Sequence, residues 1–196
     1  MVGHDWGARI GYALAAAVPE RVTRLTALSL AYAPRGAVVV PPFEQSRAWW
    51  YQWFMAVDGG ADEVRKNPKG FARIQWDTWG PPGWFDDATF DAVARSFGNT
   101  DWVAITLSSY RGRWREEPRD LRYDGLQARI AAVERLSTPT LMIQGGADGT
   151  VLPASTEDKD RYFTGGYRRE VLDDVGHFPS REAPDRVAAL VLDHLG

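Results

Sequence analysis

The period of the hydrophobic and polar positions changes three times along the chain. Residues 7–18 (GARIGYALAAAV) place Ile10, Leu14 and Ala17 at helical spacing and run into Pro19, which predicts a helix with those three on one face. Val22 to Leu30 (VTRLTALSL) then reads as a strand. After the apolar Ala37-Val38-Val39-Val40-Pro41-Pro42 loop no convincing strand follows until about residue 125. Helices are predicted there at about 45–57, 69–79, 86–97 and 99–112, with Asp86 or Asp87 capping the third and Asn99 or Thr100 the fourth. Gly80-Pro81-Pro82-Gly83 is a break, and Glu116 to Asp120 a solvated loop. From about 126 strands and helices alternate again. Pro139 introduces a strand at 140–144 (TLMIQ), a helix is expected around 155–163, a strand around 169–173, and an amphipathic helix at 183–195. Three segments result: 1–32 and 126–196, both α/β in character, and an all-helical 33–125 between them.

The first segment holds the most informative residues, Gly3-His4-Asp5-Trp6-Gly7. They fit the G-x-nucleophile-x-G elbow, a sharp turn from strand to helix that holds the middle side chain out over a sheet. The middle residue is Asp. A serine there would need a base to deprotonate it, whereas an exposed aspartate, with an ordinary pKa of about 3.9, is already a carboxylate at neutral pH. Carboxylates displace leaving groups from saturated carbon and form an ester. The chemistry indicated is the opening of an epoxide or the breaking of a carbon–halogen bond. Arg9 and the apolar run behind it could pass for a short signal peptide, but the elbow explains His4, Asp5, Trp6 and both glycines, and a basic leader does not.

An ester so formed must be hydrolysed, which needs a base and a carboxylate to orient it. Of three histidines, His4 lies inside the elbow and His194 in the last turn of the final helix, where the helix dipole accounts for it. His177, in Asp174-Val175-Gly176-His177-Phe178, falls between the last strand and the last helix and is the candidate base. Asp148, in Gly145-Gly146-Ala147-Asp148-Gly149 after the 140–144 strand, is the candidate acid; its plainer reading is a turn aspartate. Asp173 and Asp174 sit too close to His177 along the chain for a comfortable orienting contact. The strand that follows the elbow helix, another place for the acid, is followed by none before Glu44.

Asp5, Asp148 and His177, in GHDWG, GGADGTVLP and VGHF, resemble the triad of the α/β-hydrolase epoxide hydrolases and their dehalogenase relatives. The resemblance covers the whole chain but only the part of that fold from the elbow onward. It implies an α/β fold, a mainly parallel sheet with flanking helices, carrying residues 33–125 as a helical cap. It further implies two cap tyrosines that hold and protonate an epoxide oxygen. Trp50-Tyr51-Gln52 is similar to the first such element and Ser109-Tyr110-Arg111 to the second. Packing on cap helices is the plainer reading of both Tyr51 and Tyr110. Dehalogenases instead cradle a halide with Trp or Asn donors, and Trp6 would serve in either chemistry. Arg9 matches one of two arginines used by haloacid relatives, while Trp6 occupies the place of the other. Trp6, Arg9 and Trp50 are therefore candidate oxyanion- or substrate-binding residues, with the Trp6 backbone N–H supplying half of an oxyanion hole.

Composition narrows the partners. Hydrophobic residues at 44% fit a globular chain, and a net charge of −3 gives no footprint for nucleic acid or anionic membrane. No apolar run reaches the length of a membrane span of about 20 residues. Without cysteine, disulfides and thiolate metal sites are excluded, and a cytoplasmic setting is expected. No metal or organic cofactor is implied. The expected partners are water and a small apolar epoxide or organohalide, and eight of the nine tryptophans, lying in 33–125, suggest an aromatic pocket for it. The sequence does not indicate an oligomeric state. Only Met1 and Val2 precede the elbow, so about three core strands are expected. The chain by itself is then expected to be a poorly soluble, inactive piece of a longer hydrolase, and a non-catalytic remnant is the alternative to an enzyme.

Overall fold

A computed structural model describes residues 1–34, 40–114 and 120–196. The elements run β1 (Val2–His4), α1 (Trp6–Ala17), β2 (Leu25–Leu28), α2 (Phe43–Ala48), α3 (Trp50–Ala56), α4 (Asp58–Lys66) and α5 (Pro68–Trp79). They continue with α6 (Asp87–Ala94), α7 (Trp102–Trp114), α8 (Asp124–Ala131), β3 (Thr140–Gly145), β4 (Tyr167–Leu172), α9 (Pro179–Glu182) and α10 (Pro184–Leu195). Two compact units form, one from residues 1–37 and 120–196, the other from 38–119. Of the loop expected at 37–42 residues 37–39, and of the one at 116–120 residues 116–119, fall outside the described residues.

The first unit is a parallel four-stranded sheet in the order β1-β2-β3-β4. That is one strand more than expected, because Val2, Gly3 and His4 pair with Thr26, Ala27 and Leu28. Every residue of β2 and of β3 is buried, as befits strands covered on both faces. On one face Leu25 and Ala27 meet Ala8, Tyr12 and Ala15 of α1, with Tyr32, Leu136 and Phe163 completing the cluster. On the other, Leu28, Leu141, Ile143 and Leu172 meet Val187 of α10, with Leu190 and Val191 behind it.

The face of α1 is the reverse of the one expected. Ala8, Gly11, Tyr12 and Ala15 are buried, while Ile10 is 55% and Leu14 39% exposed among the described residues. Small side chains let the helix lie close to the sheet, and Tyr12 reaches across it to donate its hydroxyl to the Leu30 carbonyl at 3.0 Å. Side-chain size rather than hydropathy selects this face.

The expected helix at 155–163 is instead two 3₁₀ turns, Pro153–Thr156 and Asp160–Tyr162. Asp158 between them has a φ of 53°, a left-handed conformation that stops a right-handed helix. Arg169 of β4 reinforces the break by donating to the Pro153 carbonyl at 2.9 Å and to Thr156 Oγ1 at 3.0 Å.

The second unit is helical throughout its named elements. Its core joins Tyr51 and Met55 of α3, Ala61 and Val64 of α4, Phe71 of α5 and Leu107 of α7. The helix expected at 45–57 is broken at Trp49 into α2 and α3. Helix α4 was not expected, since Gly59-Gly60 disfavours helix. Tertiary contact overrides the propensity: a Cβ at position 60 would lie 1.9 Å from the Phe54 carbonyl oxygen, so the glycine lets α4 close on α3. Of the proposed caps, Asp86 accepts from the Thr89 N–H at 2.8 Å and Asn99 Oδ1 from the Asp101 N–H at 2.9 Å; Asn67, not among them, accepts from the Gly70 N–H at 2.8 Å ahead of α5.

Two glycines give opposite expectations. A Cβ on Gly145 would meet the carbonyl oxygens of Gly176 at 2.0 Å and Val175 at 2.5 Å, so Gly145→Ala forces backbone apart. It should cost about 1–3 kcal/mol. Gly112 in α7 has nothing within 4 Å of such an atom among the described residues, and Gly112→Ala should gain about 0.4–1 kcal/mol. Urea unfolding midpoints of the two variants check both signs.

Candidate active site

A parallel sheet brings the carboxyl ends of its strands, and the loops leaving them, to one edge, where ligands of such folds bind. Four loops meet there. Asp5 leaves β1, Ser29 leaves β2, Gly146 to Asp148 leave β3, and the 173–178 loop leaves β4. The ladders extend beyond the strands to fix them. Asp5 donates its N–H to the Leu28 carbonyl at 3.0 Å, Ser29 to Ile143 at 2.9 Å, Gly146 to Leu172 at 2.8 Å and Ala147 to Val175 at 2.8 Å.

Asp5 caps α1 with φ 46° and ψ −108°, a left-handed backbone that a non-glycine residue adopts at a cost of about 1–2 kcal/mol. Gly3 makes the turn possible. A Cβ there would lie 2.4 Å from the backbone carbon and oxygen of Gly7. Gly7 itself has open space at that position among the described residues. The two glycines of the motif are thus not equivalent.

His177 and Asp148 are buried together, with 2% and 3% of their surface exposed. His177 Nδ1 lies 2.8 Å from Asp148 Oδ2. The other carboxylate oxygen accepts from the N–H groups of Thr150 at 2.9 Å and Val151 at 2.8 Å, and Gln144 Nε2 donates to Oδ2 at 3.3 Å. A carboxylate so supplied accepts from Nδ1–H, which leaves Nε2 of a neutral imidazole with its lone pair. That atom stands 3.9 Å from Asp5 Oδ1, beyond hydrogen-bond reach.

The histidine's backbone is held as firmly as its ring. Its carbonyl accepts from Ser29 Oγ at 2.9 Å and lies 2.6 Å from His4 Nε2. A carbonyl has no proton to give, so His4 Nε2 must carry one. Burial first, and then the charge of His177, hold the His4 pKa down, so its neutral Nε2–H form is the working one at neutral pH. From the other side Glu182 accepts from the Gly176 N–H at 2.5 Å and the Phe178 N–H at 2.8 Å. One carboxylate thereby grips the backbone on both flanks of His177.

For His177 the largest single influence is burial, which disfavours the imidazolium. The charge and hydrogen bond of Asp148, with Asp5 and Glu182 behind them, outweigh it, and the net direction is upward.

The expected site residues thus fall into two groups. Asp5, Asp148 and His177 are brought together at one end of the sheet. Trp6 is the first residue of α1, and Arg9 places its guanidinium 4.9 Å from the centre of the Trp6 ring, a cation–π stack. Tyr51, Tyr110 and Trp50 lie in the helical unit. The rings of Tyr51 on α3 and Tyr110 on α7 meet edge-on with centroids 5.4 Å apart. Trp50 packs against Phe54 and Phe71. His4, Ser29, Gln144 and Glu182 were not expected at the site. Ser29 and Gln144 carried a sequence signal, being polar residues at the carboxyl ends of the predicted strands. Glu182 carried another, an acid in the first turn of a helix opened by Pro179.

The pattern of the alpha/beta hydrolase family matches residues 1–190, and the chain belongs to that family. Among its relatives, Epoxide hydrolase A of Mycobacterium tuberculosis is 26% identical over 231 residues, covering 99% of this chain and 67% of its own length. A provisionally assigned epoxide hydrolase of Klebsiella pneumoniae is 35% identical and superposes with a TM-score of 0.89 over 98% of this chain and 65% of its own. Epoxide Hydrolase A of Mycobacterium thermoresistibile gives 25% identity and a TM-score of 0.75, with 99% and 68% covered. The chain therefore spans about two thirds of the length of these relatives. No helix among the described residues is long and apolar enough to cross a membrane.

The balance at His177 has a measurable consequence. Its imidazole should titrate above the ordinary value of about 6.5. Asp148→Asn removes the largest upward influence and leaves burial opposed only by the lesser charges of Asp5 and Glu182, so the same resonance should titrate below that value. A pH series of imidazole NMR shifts on the two proteins checks the reversal.

Proposed function

We propose that this protein hydrolyses epoxides to diols through an ester on Asp5. The observation that carries the reading is a carboxylate at a strained elbow facing, across 3.9 Å, the Nε2 of a histidine whose Nδ1 is bound to a buried aspartate. An Oγ at position 5 would define a serine hydrolase. An aspartate attacks saturated carbon instead. The named epoxide hydrolases among the relatives support the same choice.

An Asp5 oxygen forms a bond to one epoxide carbon while that carbon's bond to the ring oxygen breaks. The developing alkoxide is a poor leaving group unless it receives a proton, and Tyr51 and Tyr110 are assigned to donate it, with the phenolate recovering its proton from solvent. A water molecule then gives a proton to His177 Nε2 and adds to the ester carbonyl carbon of Asp5. The Trp6 N–H stabilises the oxyanion. Collapse releases the diol, whose departing oxygen takes the proton from His177, and leaves Asp5 as the carboxylic acid. That acid gives its proton to solvent, which balances the one taken up by the phenolate and restores the Asp5 carboxylate. Asp148 holds the imidazolium formed between these steps.

In this reading residues 38–119 are the cap, supplying the tyrosines and the aromatic surface around a small apolar substrate. Trp6 and Trp50 are assigned to line the site. Arg9, stacked on Trp6, serves to orient that indole rather than to bind a substrate carboxylate.

The covalent step is tested by His177→Gln. This variant should still open styrene oxide but fail to hydrolyse the ester, so an adduct of the epoxide's mass accumulates on Asp5, and Asp5→Asn should form none. Wild-type turnover without any adduct in the His177 variant would sink the mechanism.

The donors are tested separately. Tyr51→Phe with Tyr110→Phe should lower epoxide opening by ~10²-fold or more, while any displacement of halide from a 1-haloalkane, which needs no proton, is kept. Full epoxide activity in the double variant would return both tyrosines to a packing role.

A further inference from the structure

We infer that Gln52 is a positioning residue that sets the direction of the Tyr51 hydroxyl proton, through a relay running from the Trp114 indole to the Gln52 amide to the Tyr51 phenol. The inference rests on the reading of Tyr51 as a proton donor to the epoxide oxygen.

Gln52 is 3% exposed, and both ends of its amide are engaged. Trp114 Nε1 lies 3.1 Å from Gln52 Oε1, and Gln52 Nε2 lies 3.1 Å from the Tyr51 hydroxyl oxygen. An indole nitrogen only donates. The Gln52 oxygen must therefore face Trp114, because the opposite orientation would set two donors against each other in a buried place and forfeit a hydrogen bond. Once the oxygen is committed to Trp114, the NH₂ group faces Tyr51, and the phenolic oxygen has to accept. Tyr51 cannot spend its own proton on Gln52.

The fixed end of the relay is well anchored. The Trp114 ring packs on Trp53 with centroids 3.9 Å apart, and Trp53 donates its own N–H to the Ser46 carbonyl at 3.1 Å. Tyr51 is gripped in turn by the rings of Trp79 and Tyr110, 5.0 and 5.4 Å away. Neither side chain of the relay is free to turn away from Gln52.

Two chemical effects follow from an N–H aimed at the phenolic oxygen. It stabilises the phenolate left after proton transfer, which makes the proton easier to give. It also occupies one lone-pair direction, which limits the directions open to the O–H bond. Both serve a step in which an alkoxide must be protonated as it forms.

Gln52→Glu is the sharpest test, because it keeps the shape and the acceptor for Trp114 but replaces the NH₂ with a second oxygen. The polarity toward Tyr51 reverses, and the phenol then donates to the carboxylate. Gln52→Leu removes the relay without reversing it. In the His177→Gln background, where the ester accumulates, both changes should slow adduct formation on Asp5 by roughly 10-fold or more, Gln52→Glu at least as much as Gln52→Leu. Hydrolysis of the ester in the His177 protein should be unchanged. With Tyr51→Phe already present, neither change should slow ring opening further.

Phenolate absorbance gives a second readout that needs no turnover. The titration assigned to Tyr51, by its loss in Tyr51→Phe, should move upward in both variants. If Tyr51→Phe slows ring opening while Gln52→Glu and Gln52→Leu leave it unchanged, the relay is wrong and the catalytic tyrosine stands. If Tyr51→Phe has no effect on ring opening, the underlying reading falls, and with it the catalytic role of the relay. A Tyr51 titration unmoved by Gln52→Leu overturns the hydrogen bond itself.

Discussion

A carboxylate taken out of water costs several kcal/mol unless its lone pairs find donors, and the loops at the open edge of the sheet are arranged around meeting that demand at Asp148. Two backbone N–H groups, one amide and one imidazole supply it. Each donor fixes a piece of chain. Thr150 and Val151 curl the loop back beneath the carboxylate, Gln144 ties the loop to the end of β3, and His177 draws in the loop after β4. The close passage of Gly145 against Gly176 brings that last loop within range. Removing the charge would leave the imidazole without its orienting partner and the two N–H groups with a weaker acceptor.

A second carboxylate works from outside on the same loop. Glu182 takes the N–H groups on either side of His177, while His4 and Ser29 hold its carbonyl from within. The imidazole thus hangs from a backbone whose polar groups are fixed on both faces. Such a frame reduces the freedom that a base would otherwise lose when it meets a reacting water.

Strands β2 to β4 and the places of Asp5, Asp148 and His177 were legible because each has a local cause, whereas β1 was not. The elbow is written in Gly3 and Asp5, the central strands in the Leu- and Ala-containing stretch of β2 and the apolar Leu141-Met142-Ile143 of β3, and the loop residues in their places after strands. What the sequence left dark was decided by contacts made elsewhere in the fold. Helix α1 turns Ile10 and Leu14 outward because Ala8, Gly11 and Ala15 allow the closer approach, a preference of shape that hydropathy does not encode. Helix α4 forms through Gly59-Gly60 because Phe54 waits beside position 60. The turns at 153–162 replace a helix because Asp158 takes a left-handed backbone and Arg169 of β4 holds the Pro153 carbonyl and the Thr156 hydroxyl. The roles of Glu182 and Gln52 are hidden for a related reason: Gln52 lies within the element that carries Tyr51 and Glu182 in the first turn of α9, but their hydrogen bonds exist only once backbone at 176–178 and the Trp114 indole have been brought alongside.

The left-handed backbone at Asp5 has a thermodynamic side. A glycine there would adopt the same φ without penalty, so the residue that makes the elbow reactive is also one of the costlier occupants of its conformation. The penalty of about 1–2 kcal/mol is a sizeable part of the 5–15 kcal/mol by which folded domains outlast their unfolded chains. Sequence drift toward stability at this position would therefore run toward loss of the carboxylate. An aspartate held there is a sign that something other than folding has kept it.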